Sequence, residues 1–132
     1  MAGDPKEKKI LVVDDDESIC FFLKTLLEKE GFGVEVCYDG SAAVKVFNRN
    51  KIDLIVLDWM MPVLSGFEVL KTLRSDKHGK VPVVVVTAQV TDAVTIDTIK
   101  KEMNVAEFIS KPINNTDFIS RVHKVLGTSG TK

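Results

Sequence analysis

The sequence predicts an α/β fold, a doubly wound five-stranded parallel sheet with helices on both faces. Three observations point there. Short apolar runs at residues 10–13, 54–57, 83–86 and 108–110 carry little polar alternation, the pattern of strands buried on both faces of a parallel sheet. The segments between them space their apolar residues at helical intervals. Each run also stops on a polar group: Asp14-Asp15-Asp16, Asp58, Thr87 and Lys111-Pro112. Parallel strands end along one edge, and in open α/β sheets ligands bind at that carboxyl edge.

The elements follow in order. After the first strand, Ile19, Phe22, Leu23, Leu26 and Leu27 mark a helix that Gly31 stops. Residues 34–38 read as a second strand closed by Asp39-Gly40, and Ala42, Ala43, Val46 and Phe47 as a short helix. Beyond the strand at 54–57, Ser65 with Glu68 forms a capping box that opens a helix burying Phe67, Leu70 and Leu73. The strand at 83–86 leads to a helix over about 91–103. The run at 108–110 leads to a last helix after Asn114-Asn115, burying Phe118, Ile119, Val122, Val125 and Leu126. Five βα units in succession predict right-handed crossovers and helices on both faces.

Composition bounds the rest. The 132 residues suit one domain, expected at 9–126 between a polar N-terminal tail at 1–8 and a flexible tail at 127–132. A net charge of −1 gives no basic footprint for nucleic acid. No run approaches the roughly 20 apolar residues that cross a bilayer, and the first nine residues lack a signal peptide's apolar stretch. Cys20 and Cys37 are too few and too far apart for a zinc knuckle or redox pair. A cytoplasmic, reducing compartment is expected.

The strand-end residues suggest a chemistry. Several carboxylates at neighbouring ends repel one another unless a cation intervenes. With no His or Cys among them, the expected ion is Mg²⁺ or Mn²⁺. Lys111 brings an ammonium suited to phosphoryl oxygen, Thr87 a hydroxyl donor, and a carboxylate is itself a recognised phosphoryl acceptor. Phosphoryl transfer by positioning and charge neutralisation fits this set.

Val12-Val13-Asp14-Asp15, Leu57-Asp58-Trp59-Met60-Met61-Pro62, Val86-Thr87-Ala88 and Ser110-Lys111-Pro112 together resemble the receiver domain of two-component response regulators, of the chemotaxis-regulator type, over about residues 8–126. The resemblance implies the flavodoxin-like strand order 2-1-3-4-5. It implies that Asp58 accepts a phosphoryl group from a sensor histidine kinase or histidine phosphotransfer protein. Asp15, Asp58 and the Met60 carbonyl would hold Mg²⁺, with Asp14 acting through water. Lys111 would contact the phosphoryl group, with a cis bond to Pro112. Thr87 and Phe108 would form a switch pair that alters the face near the last two helices. Such a domain is a signalling switch rather than an enzyme on outside substrates, catalysing only its own Mg²⁺-dependent phosphorylation and dephosphorylation. It is expected as a monomer or a phosphorylation-dependent dimer, with a downstream protein target that the sequence does not name.

Other residues are read locally. Asp16, beside Glu17 at a helix start, serves the helix N-terminus rather than the metal. His78 and His123 are expected at the surface without chemistry. Residues 19–23 are five apolar residues in a row, wider than one buried face, so Ile19 and Phe22 are expected to contribute to an apolar patch that docks the phosphodonor. Asn104 stands where the family commonly has Gly, and Ser65-Gly66 replaces Asp-Gly. Met60 and Gln89 occupy positions that influence hydrolysis in this family. An apolar Met60 cannot orient a water, so a slowly decaying phosphorylated state is expected.

Three rival readings are weaker. A haloacid-dehalogenase-type phosphatase needs an acid/base Asp two residues after the nucleophile, where this chain has Met60. A pseudo-receiver interaction module usually lacks a site residue, whereas Asp14, Asp15, Asp58, Thr87 and Lys111 are all present. A flavodoxin-like electron carrier needs a phosphate loop after the first strand, where this chain has acid. No effector segment follows residue 126, so the chain is expected to act through a bound partner or to be a receiver from a longer regulator.

Overall fold

Three central strands carry the core because each side chain along them meets a covered face. The computed structural model describes residues 4–49, 51–58, 81–87, 93–101 and 105–128. Within these, β1 (Lys9–Val13), β2 (Gly33–Cys37), β3 (Leu54–Asp58), β4 (Val83–Thr87) and β5 (Val105–Ser110) form one parallel sheet in the order β2-β1-β3-β4-β5. The described helices are α1 (Glu17–Lys29), α2 (Gly40–Arg49), α3 (Ala93–Lys100) and α4 (Asn115–Leu126), preceded by a 3₁₀ turn at Pro5–Glu7. The capping box at Ser65 and the helix it opens lie outside the described residues, as do Asn104 and His78.

Side chains alternate across a strand, so Ile10, Val12, Val84 and Val86 pack on one face with Leu23, Leu27 and Phe118. Leu11, Val13, Leu57 and Val85 pack on the other with Ala43 and Phe47 of α2. Both faces are apolar because both are covered, which is why β1, β3 and β4 show no alternation in sequence. The edge strands differ. Ser110 and Ala106 of β5 are exposed and Phe108 is only half-buried; β2 is buried only at Cys37. The expectation that the 108–110 run is buried on both faces therefore holds only at Ile109. Glu107 hid the first half of β5, which starts at Val105, and the ladder is irregular opposite Val83 and Val84.

α1 starts on Asp16, whose Oδ1 accepts the N–H groups of Ser18 (2.9 Å) and Ile19 (3.3 Å). This satisfies two of the orphan donors at a helix start. The buried stripe is Cys20, Leu23 and Leu27; of the residues read at helical spacing, Phe22 falls instead on the outer face, where an apolar patch is expected. Phe22 is 38% exposed and its neighbour Phe21 72%.

Parts of the segments expected as tails are packed. Pro5 is buried beneath Gly31, whose φ of +100° suits glycine and whose added Cβ would stand 3.3 Å from the Pro5 Cβ. At the other end Gly127 caps α4 with φ +66°, and its N–H donates to the His123 carbonyl. Thr128 is then packed, 8% exposed. The chain at 5–7 and at 127–128 thus belongs to the folded unit.

Candidate functional site

The register brings the polar strand ends level. Val13 pairs with Leu57, Asp58 with Val86, and Thr87 with Ser110, so Asp14, Asp58, Thr87 and Lys111 meet the same edge of the sheet. Single carboxylate oxygens of Asp14, Asp15 and Asp58, one from each, lie within 4.8 Å of one another. Asp14 and Asp58 are 2% and 6% exposed, while Asp15 is open to solvent. This is the one such cluster of potential metal ligands among the described residues.

Lys111 enters the cluster from beyond β5. Its Nζ donates to Asp14 Oδ2 at 3.0 Å and stands 3.5 Å from Asp58 Oδ2. Burial pulls the ammonium down, but its contacts with Asp14 and Asp58 outweigh this and hold it above the ordinary lysine range. The Lys111–Pro112 bond is cis, as expected from the resemblance.

Asp14 is held on every side. Its N–H donates to the Cys37 carbonyl at 3.1 Å. Its Oδ1 accepts the Asp16 N–H at 2.9 Å, and its carbonyl accepts the Cys20 thiol at 3.2 Å. Burial pushes the Cys20 thiol up to about 12 and the Cys37 thiol up to about 11. Both are free and buried, so at neutral pH they are protonated and inert.

Electrostatics limits what the cluster does alone. At an effective dielectric of about 20, each pair of carboxylates repels by roughly 3 kcal/mol or more. One ammonium cannot balance three such charges. An oxygen-only donor set with residual negative charge fits a hard divalent cation.

The other expected residues are placed as follows. Phe108 is half-buried, opposite Val85 in the ladder, and packs against the α2-side core. Thr87 ends β4, but its side chain lies outside the described part. So do Met60 and Gln89. Ile19 is half-buried against the α1-side core, so the exposed apolar surface of α1 consists of Phe21 and Phe22.

His123 was misread from sequence as a surface residue. It is 8% exposed, and its Nε2 lies 2.8 Å from Glu30 Oε1 while Nδ1 lies 2.6 Å from Thr128 Oγ1. Its ring also packs on Phe32, centroids 5.2 Å apart. A polar residue within an amphipathic helix gave no sign of this, because Glu30 is remote in sequence and Thr128 lies beyond the helix.

Beside Phe108 a groove of about 250 Å³ is lined by Val105, Ala106, Glu107 and Arg121. Arg121 bridges Glu107 (3.1 Å) and Asp117 (3.1 Å) and donates to the Phe108 carbonyl at 3.3 Å. This ties α4 to the strand that carries Phe108. No helix among the described residues is long and apolar enough to cross a membrane.

Known proteins share this arrangement. The family model described as "Response regulator receiver domain" matches residues 10–123. Sensory transduction protein RegX3 of Mycobacterium tuberculosis is 37% identical over 121 residues, 92% of this chain and 52% of that protein. Transcriptional regulatory protein CpxR of Escherichia coli is 36% identical, over 92% of this chain and 50% of its own length. The chain therefore spans about half the length of these curated relatives. Among solved structures, the receiver domain of the Francisella response regulator 1452 superposes with a TM-score of 0.79 at 35% identity, covering 90% of this chain and 96% of that one. Vibrio cholerae chemotaxis protein CheY4 gives 0.82 at 28% identity, covering 90% and 98%. Sheet order, acidic strand ends and these similarities agree: the chain belongs to the response-regulator receiver domain family.

Proposed function

We propose that the domain switches between states by accepting a phosphoryl group on Asp58 from a phosphohistidine of a sensor kinase or phosphotransfer protein. The observation that carries this is the position of the Lys111 ammonium, 3.0 Å from Asp14 and 3.5 Å from Asp58 in a three-carboxylate pocket. In transfer, an Asp58 carboxylate oxygen bonds to phosphorus as the bond from phosphorus to the donor imidazole nitrogen breaks. The electron pair stays on the imidazole, and the product is an acyl phosphate. In this reading Lys111 follows a phosphoryl oxygen as the charge moves outward from the carboxylate.

The Asp14, Asp15 and Asp58 carboxylates suit Mg²⁺, or Mn²⁺. Asp15 and Asp58, with the Met60 carbonyl that the family resemblance implies, would hold the ion, and Asp14 would act through water. When bound, the ion supplies positive charge against the phosphoryl oxygens. Thr87, at the end of β4, donates its hydroxyl to the phosphoryl group, and Phe108 responds by changing its packing beside the Arg121 groove. The same pocket makes water attack on the acyl phosphate a self-catalysed step. Polar residues at all of Asp14, Asp15, Asp58 and Lys111 speak against a phosphorylation-independent module, and Met60 two residues after Asp58 against a dehalogenase-type phosphatase.

The exposed Phe21 and Phe22 form the apolar part of the donor-docking surface, to which half-buried Ile19 contributes from the core side of the same helix. The test is to incubate the protein with acetyl phosphate and Mg²⁺ and to follow its intact mass. A gain of one phosphoryl group, prevented by EDTA, is expected. No gain in the presence of Mg²⁺ counts against the reading.

A further inference from the structure

Cys20 lies in the first turn of α1, 1% exposed, with its Sγ 3.2 Å from the Asp14 carbonyl oxygen. The backbone donors of that turn go elsewhere. Ser18 and Ile19 donate to the Asp16 side chain, and the Cys20 N–H donates to the Asp16 carbonyl at 3.0 Å. The Asp14 carbonyl, buried with the rest of its residue, is thus met by a side chain from the helix.

That carbonyl belongs to the peptide joining Asp14 to Asp15. The peptide is planar, so fixing its oxygen also fixes the Asp15 nitrogen and the direction in which the Asp15 Cα leaves the strand. Asp15 is the solvent-open member of the cluster, and nothing in the sheet ladder fixes it, since β1 ends at Val13. Groups that orient a ligand from behind contribute to metal affinity, and their removal weakens binding.

We propose that Cys20 is a positioning residue for the acidic pocket: through its hydrogen bond to the Asp14 carbonyl it sets the Asp14–Asp15 peptide and so the pocket's affinity for a divalent cation. The proposal rests on the pocket's being a cation site, as read above. It also joins α1, which carries the exposed phenylalanines, to the pocket by one side chain.

The experiment is a Mn²⁺ titration of the wild type, Cys20→Ser, Cys20→Ala and Cys20→Val, following free Mn²⁺ by electron paramagnetic resonance. Folding is checked by urea unfolding in EDTA. Cys20→Ser keeps a donor and should stay within about twofold of the wild type. Cys20→Ala and Cys20→Val lack one and should bind about fivefold more weakly, the worth of about one hydrogen bond. Cys20→Val retains bulk, so it serves if the alanine variant does not fold. Wild-type affinity in a folded donor-less variant overturns the role of Cys20. Equal weakening in the serine and donor-less variants also overturns it, because packing rather than donation would then be responsible. A wild type that binds no Mn²⁺ overturns instead the reading of the pocket on which the proposal rests.

Discussion

Lys111 Nζ lies 3.0 Å from Asp14 Oδ2, joining two side chains 97 positions apart across the carboxyl edge of the sheet. The side chains are 17% and 3% exposed, so the pair is screened little by solvent. Removing one partner of a buried pair leaves a charge without compensation. Lys111→Met should therefore lower stability in EDTA by about 2 kcal/mol or more, below the full-burial range because Lys111 keeps some solvent contact. Mg²⁺ should restore more of the loss in this variant than it adds to the wild type. Urea midpoints with and without Mg²⁺ check this, and an unchanged midpoint in EDTA would contradict it.

The α1 surface gives a second prediction. Phe21 is 72% exposed, so a polar substitution there costs little stability, within about 0.5 kcal/mol for a surface site, whereas Phe22, 38% exposed, loses some packing as well. Phe21→Ser and Phe22→Ser should slow transfer from a phosphorylated donor protein while leaving phosphorylation by acetyl phosphate near wild type. Ile19, half-buried against the core, should instead lose stability when made polar. Comparing the two donors in one stopped-flow assay separates docking from chemistry.

The two thiols predict an alkaline loss of stability. Desolvation raises Cys20 from 9.0 to about 12 and Cys37 from 9.0 to about 11. Above pH 9 the unfolded chain releases protons that the folded one keeps, so the unfolded state gains. The stabilising contribution is complete below pH 9 and falls as pH rises toward 11 for Cys37 and further for Cys20. Cys37→Ala should flatten the fall between pH 9 and 11 in a series of urea midpoints. A disulfide-exchange reagent at pH 8 should label the thiols only as fast as the protein opens.

His123 supplies a prediction about the fold's closure. Its contacts with Glu30 and Thr128 tie the end of α1 to the residue just past α4. His123→Ala leaves Glu30 and Thr128 short of a partner and should cost about 1–3 kcal/mol. His123→Ala combined with Thr128→Ala should cost less than the sum of the two, since both remove the same contact. Unfolding midpoints of the cycle check the coupling.

What the sequence made legible is what local pattern and strand ends encode. β1, β3 and β4 were plain because both faces are covered, and their runs deliver Asp14, Asp58 and Thr87 to one edge. Asp16 was readable as a cap because capping is local. β5 was readable only from Phe108 onward, since an edge strand carries residues such as Glu107 that break the apolar run. The inward stripe of α1 was legible only at Leu23 and Leu27, because five consecutive apolar residues fit more than one stripe at helical spacing. The Cys20 bond to Asp14 and the His123 contacts were hidden because they depend on how a helix docks. No spacing rule encodes that.

The central claim is that Asp58 carries the phosphoryl group. Borohydride reduces an aspartyl phosphate to homoserine and so marks the residue that bore it. After incubation with acetyl phosphate and Mg²⁺, reduction and peptide mass mapping, homoserine is predicted at position 58, with none in Asp58→Ala. Homoserine at Asp14 or Asp15 in the wild type, or no homoserine at all, would contradict the account.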